Sequence, residues 1–134
     1  MVARNAERAE WRRNWQSVQT EHAKAAARAL YPLGAAAAGQ MRRIPYAEAA
    51  TYLNTWAMGY GGRRSLLPLD ALAGLCATLD VPDLSSIFWS QETVELSELG
   101  SPDAHMPRWE SIKDKEAEEL RCHRNTSWPP ASSV

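Results

Sequence analysis

Leucine, isoleucine, valine and phenylalanine together supply only 22 of the 134 residues, while alanine alone supplies 22 and tryptophan six. A core made from such a chain must rely on its rings, each of which removes on the order of 150–250 Å² from water when buried. So low an aliphatic content can signal disorder, but the formal net charge of −1 and 23% charged residues do not fit a disordered chain. The length suits one compact domain, at the usual ~100–200 residues each.

The rings are placed periodically. Trp11, Trp15, Val18, His22, Ala25 and Ala29 follow one another at alternating steps of four and three, which puts them on one stripe of an amphipathic helix. This predicts a long N-terminal helix from about Ala6 to Tyr31, bending at Pro32 and continuing to near Gly39. On that stripe Trp11 and Trp15 are core residues, as Trp89 is further along, and His22 is a buried, hydrogen-bonded histidine rather than a catalyst.

From Met41 to Leu53 the pattern is a short strand entering a short helix, with Pro45 at or just before its first turn. A glycine-rich connection, 54–64, leads to Ser65 as the cap of a further helix from Leu66 to Leu79, burying Leu69, Leu72, Cys76 and Leu79. Leu84 to Ser90 and Val94 to Ser97 form a predicted hairpin with its tip at Gln91-Glu92-Thr93. Trp109 to His123 is a last helix on which Glu110, Asp114, Glu118 and Glu119, interleaved with Lys113 and Lys115, make a solvated face. Residues 1–123 are the expected domain and 124–134 a flexible tail.

Helix, short strand, two helices and a two-stranded wing is the order of a winged helix-turn-helix. The stretch Arg43-Ile44-Pro45-Tyr46-Ala47-Glu48-Ala49-Ala50 resembles the ITYGELA segment in the winged-helix half of the DNA alkyltransferases and of their catalytically silent alkyltransferase-like relatives. It is also similar to small bacterial and phage proteins that set a long Trp- and His-bearing helix before this segment. The resemblance spans roughly residues 40–95 and implies an α+β, winged-helix-like fold. Pro45 and Ala47 stand where that family has Thr and Gly. Its Pro-Cys-His-Arg active-site sequence is absent, so alkyl transfer is not implied: Cys122-His123, the one Cys-His pair, has no preceding proline.

The small net charge conceals a split, with ten basic and four acidic residues in 1–64 but five basic and twelve acidic in 65–134. The basic half holds Gly59-Tyr60-Gly61-Gly62-Arg63-Arg64-Ser65, whose backbone N–H groups, guanidiniums and following helix start suit an anion. Arg42, Arg43, Arg63 and Arg64, with Arg12 and Arg13, are the candidate phosphate contacts. Base reading is disfavoured, since 66–79 lacks Arg, Lys, Asn and Gln and the wing carries Glu92, Glu95 and Glu98. The expected function is non-enzymatic binding to a nucleic-acid backbone, steeply salt-dependent. The alternative is a protein-interaction module, or a regulator of the phage or mobile-element type, that docks on a partner protein; either leaves room for a homodimer.

No catalytic set, cofactor fingerprint or metal site is expected. Cys122, His123 and His105 lack zinc spacing, and Cys76 among leucines is an inert core thiol. Two cysteines and no apolar leader point to the cytoplasm, and no run reaches the ~20 apolar residues of a membrane span.

Overall fold

The computed structural model describes residues 2–53, 67–99 and 109–133. They are mostly helical: α1 (Val2–Ser17), α2 (Glu21–Gly39), β1 (Ile44–Pro45), α3 (Tyr46–Tyr52), α4 (Leu67–Leu79), β2 (Phe88–Trp89), α5 (Gln91–Glu98) and α6 (Ile112–Arg124), with 3-10 turns at Leu84–Ile87 and Ala131–Ser133.

The long N-terminal helix is two helices. α1 closes with Val18 N–H and Gln19 N–H both donating to Asn14 O, and Thr20 then caps α2 by accepting from Ala23 N–H at 3.1 Å. A threonine cap followed by Glu21 in the first turn is a helix start in its own right, and it outweighs the stripe that runs across it. The break leaves Val18, His22 and Ala25 exposed, so His22 is not the buried histidine that periodicity predicts. Pro32 neither stops nor visibly divides α2, which continues to Gly39 and buries Leu30, Tyr31, Gly34 and five alanines.

α4 is the central element. From Leu69 to Ala77 only Asp70 escapes near-complete burial on the described side chains, and the helix is packed chiefly between α1 and α2. Gly74 allows the closest approach to α1, because a Cβ there would lie 2.9 Å from Trp11 O and 3.1 Å from Trp15 Cβ. At its end, Arg12 Nε donates to Ala77 O at 2.6 Å and Arg8 Nη2 to Val81 O at 2.8 Å. Two guanidiniums thus reach carbonyls at the negative end of the α4 dipole and tie α1 to it.

Both α2 and α4 finish in the same reverse turn. Met41 (φ 55°) and Asp80 (φ 59°) occupy the left-handed region, with Arg42 N–H bonded to Ala37 O and Val81 N–H to Cys76 O. That position usually belongs to glycine, which has no Cβ to crowd the following carbonyl.

The predicted hairpin does not form. β1 pairs with β2 in parallel, Ile44 opposite Phe88 and Pro45 opposite Trp89, and the segment after β2 is helical. Ser90 decides this by accepting from Thr93 N–H at 3.2 Å, which starts α5 with Glu92 in its first turn. The fold is therefore largely α with a two-residue parallel pair, and a hairpin wing is absent among the described residues.

The main core joins Trp15, α2, α4, the 84–87 turn and Cys122; a second cluster holds Trp89, Trp109 and Ile112. Residues 125–133, where a tail is expected, lie against the body: Trp128 meets the Tyr31 ring edge-on at 6.2 Å, and Tyr31 Oη donates to Pro129 O at 2.6 Å. No helix among the described residues is long and apolar enough to cross a membrane.

Candidate functional site

The most concentrated polar structure lies where α6 meets the two short strands. Arg43, just before β1, sends Nε to Glu119 Oε2 at 2.7 Å and Nη2 to Glu119 Oε1 at 3.0 Å, a two-pronged pair across 76 residues of chain. Its guanidinium lies over the Trp89 ring, 3.8 Å from the centroid, and Trp89 Nε1 donates to the same Glu119 Oε2 at 3.0 Å. Glu116 Oε2 lies 3.7 Å from Arg43 Nη2, the nitrogen that also reaches Glu119. Lys115, 1% exposed, is 4.4 Å from the Trp89 centroid and donates to Phe88 O. One indole is thus flanked by two cations and hydrogen-bonded to the carboxylate that binds one of them.

This overturns the solvated face predicted for α6. Lys113 and Asp114 face water, but Lys115, Glu118 and Glu119 are buried with Ile112 and Cys122. Ile112, Lys115, Glu119 and Cys122 recur at steps of three, four and three, a core stripe whose two middle members are charged. The burial is compensated, as ionic groups in a core must be. Glu118 accepts from Asp83 N–H at 2.8 Å and from Arg121 at 3.3 Å, while Glu119 holds Arg43 and Trp89.

The candidate phosphate contacts are dispersed. Arg42 makes a two-pronged pair with Glu48, 3.1 Å on each arm, and hydrogen bonding to that carboxylate, then its charge, raises the arginine's pKa further. Arg43 is committed to Glu119, and Arg12 to Ala77 O and, at 3.6 Å, Asp80. Arg13 is exposed on α1. Arg63 and Arg64, with the glycines before them, lie outside the described residues, as does His105. The structure therefore brings Arg42 and Arg43 together beside β1, and pairs both with carboxylates.

The two thiols flank one peptide group. Leu84 N–H approaches Cys76 Sγ at 3.5 Å, and Cys122 Sγ donates to Asp83 O at 3.3 Å, so the Asp83–Leu84 amide stands between the sulfurs. Burial pushes both thiols well above their usual range, more than the neighbouring Ser86 hydroxyl lowers Cys122. Neither is a nucleophile in this state. Native protein is expected to leave both unreacted with a thiol-specific disulfide reagent and to release two thiols on denaturation; rapid native labelling of either one would contradict this packing.

No protein-family model, curated protein or solved structure matches the chain. Among the described residues no group of three or more His, Cys, Asp or Glu side chains is placed to hold a metal ion. His123 Nε2 is buried without a hydrogen-bond partner, at the last turn of α6. Burial, with a smaller contribution from Cys76, raises the Tyr31 hydroxyl to about 12. The feature that periodicity misses lies instead at the α2–β1 junction. Met41 is 71% exposed in the left-handed conformation, next to the Arg42–Glu48 pair, and Tyr52, 51% exposed, stands one turn beyond Glu48 on α3.

Proposed function

We propose that this chain is a non-enzymatic interaction module that docks on a partner protein through the surface of Met41, Arg42, Glu48 and Tyr52. The observation that carries the reading is Met41. A large apolar side chain exposed at a position suited to glycine costs about 1 kcal/mol of backbone strain, gains little from packing, and is the kind of locally unfavourable choice kept where a surface is used. Methionine and tyrosine are both enriched at interface centres, and a surface ion pair between them supplies orientation rather than affinity.

The decisive variant is Met41→Gly. Relief of the left-handed strain is expected to raise stability by roughly 0.5–1 kcal/mol in denaturant titration, while a partner captured by the wild-type chain in stoichiometric amount, insensitive to nuclease, is lost. Retention of that partner by Met41→Gly and by Tyr52→Asp would reject the surface.

Backbone contact with nucleic acid is the second reading, favoured by the position of Arg42 and Glu48 at the surface, where a phosphate can compete for the guanidinium. It requires binding to a duplex or single-stranded probe that falls steeply with salt and weakens when Arg63 and Arg64 are both changed to alanine. Partner capture that nuclease abolishes would favour it over docking on protein.

A further inference from the structure

We propose that the Tyr31 seat, filled here by the chain's own Trp128-Pro129-Pro130-Ala131, accepts the same segment from a second copy, giving an exchanged dimer in which each copy supplies Trp128 to its partner. The seat is built. Tyr31 is 4% exposed, and its hydroxyl finds an acceptor in Pro129 O, outside the helices that bury the ring. Trp128 and Ala131 pack on the main core, the former edge-on to Tyr31 and the latter in the 3-10 turn that touches α4. If the segment leaves, a phenol hydroxyl in a largely apolar setting loses its acceptor, which costs about 1–3 kcal/mol when nothing replaces it. The seat therefore favours being refilled, and a ligand known to fit it is the one each copy carries.

The connection is suited to exchange. α6 ends with Asn125 N–H on Cys122 O, Asn125 Nδ2 donates to Ser127 O, and Thr126 and Ser127 are exposed. These contacts hold the hinge to itself and to α6, so opening it breaks no hydrogen bond among them to α1, α2 or α4. Exchange remakes every contact of the seat in trans, the low-cost route by which identical elements generate a closed two-fold dimer. The intramolecular form wins in dilute solution because a short tether supplies an effective concentration of about a millimolar or more.

Deleting Thr126 and Ser127 from the full chain removes up to ~7 Å of reach at about 3.3–3.6 Å per residue, enough to deny the segment its own seat. The deleted form is expected to run as a dimer in light scattering and sedimentation, and to return to a monomer when Trp128→Ala is added. A folded deleted form that stays monomeric at about 1 mM, the scale of the lost tether, overturns the proposal. So does a dimer indifferent to Trp128→Ala. If the deletion prevents folding, wild-type chains carrying two different isotope labels are mixed at the same concentration. Contacts between Tyr31 of one label and Trp128 of the other support exchange, and contacts confined to one label reject it. None of these readouts involves Met41, so exchange and partner docking fail independently.

Discussion

Changing Glu119 to alanine is expected to destabilise the fold by about 2–4 kcal/mol, read as a shift of the denaturant midpoint at unchanged slope. Removing one member of a buried ion pair costs about 3–5 kcal/mol because the other charge is left without compensation. Arg43 is 32% exposed on its side chain and keeps Glu116 at 3.7 Å, so water and a second carboxylate recover part of that loss. The Trp89 indole N–H recovers nothing, since Trp89 is 1% exposed and Glu119 Oε2 is its acceptor. Glu119→Gln, which retains one acceptor but no charge, should fall between the two. A cycle with Arg43→Ala is expected to give a coupling of roughly 1–3 kcal/mol. The Arg42–Glu48 pair, more than 40% exposed on both side chains, should couple far more weakly and lose most of that coupling in salt. A loss under about 1 kcal/mol for Glu119→Ala would mean that this carboxylate is solvated rather than built into the core.

This cluster also shows where sequence reading stops. Trp15, Trp89, Leu69, Leu72 and Cys76 are recognisable as core because aliphatic scarcity and helical spacing leave them no other place, and all are buried. The short strand before α3 follows from Ile44-Pro45. A pair joining residues 43 and 119 has no local signature, and charged side chains on α6 look solvated until Ile112 and Cys122 are seen to share their face. The helix break at Thr20 and the start of α5 at Ser90 were written locally, as hydroxyl caps each followed by an acid in the first turn. The apolar stripe runs across the first, and the alternation around Ile87 and Trp89 resembles a hairpin at the second. The wing is absent for a topological reason as well: β2 pairs in parallel with β1 rather than with the segment that follows it, and a parallel pair is joined by a long crossover, here containing α3 and α4, not by a tight turn.

The other large effect is expected from Trp15→Ala, about 3–5 kcal/mol, as for other buried Trp truncations. Trp15 is 4% exposed, anchors α1 against α4, and has Lys24 and Arg28 at 5.5 and 5.3 Å from its ring centroid. Hydrogen exchange should show α1 losing protection while α4 keeps most of its own. Gly74→Ala tests whether α1 detaches or stays docked over a cavity. In the wild-type background its Cβ would press on Trp11 O and Trp15 Cβ, and overpacking of about 1–3 kcal/mol exceeds most of the ~1 kcal/mol that alanine gains over glycine in a helix. Trp15→Ala retains both offending atoms, so the two losses add if α1 remains in place. If α1 has come away, Gly74→Ala meets nothing there, and in the double variant it becomes neutral or stabilising through propensity alone. Additive losses together with preserved α1 protection would show that Arg8 and Arg12, through Val81 O and Ala77 O, hold the helix without the tryptophan.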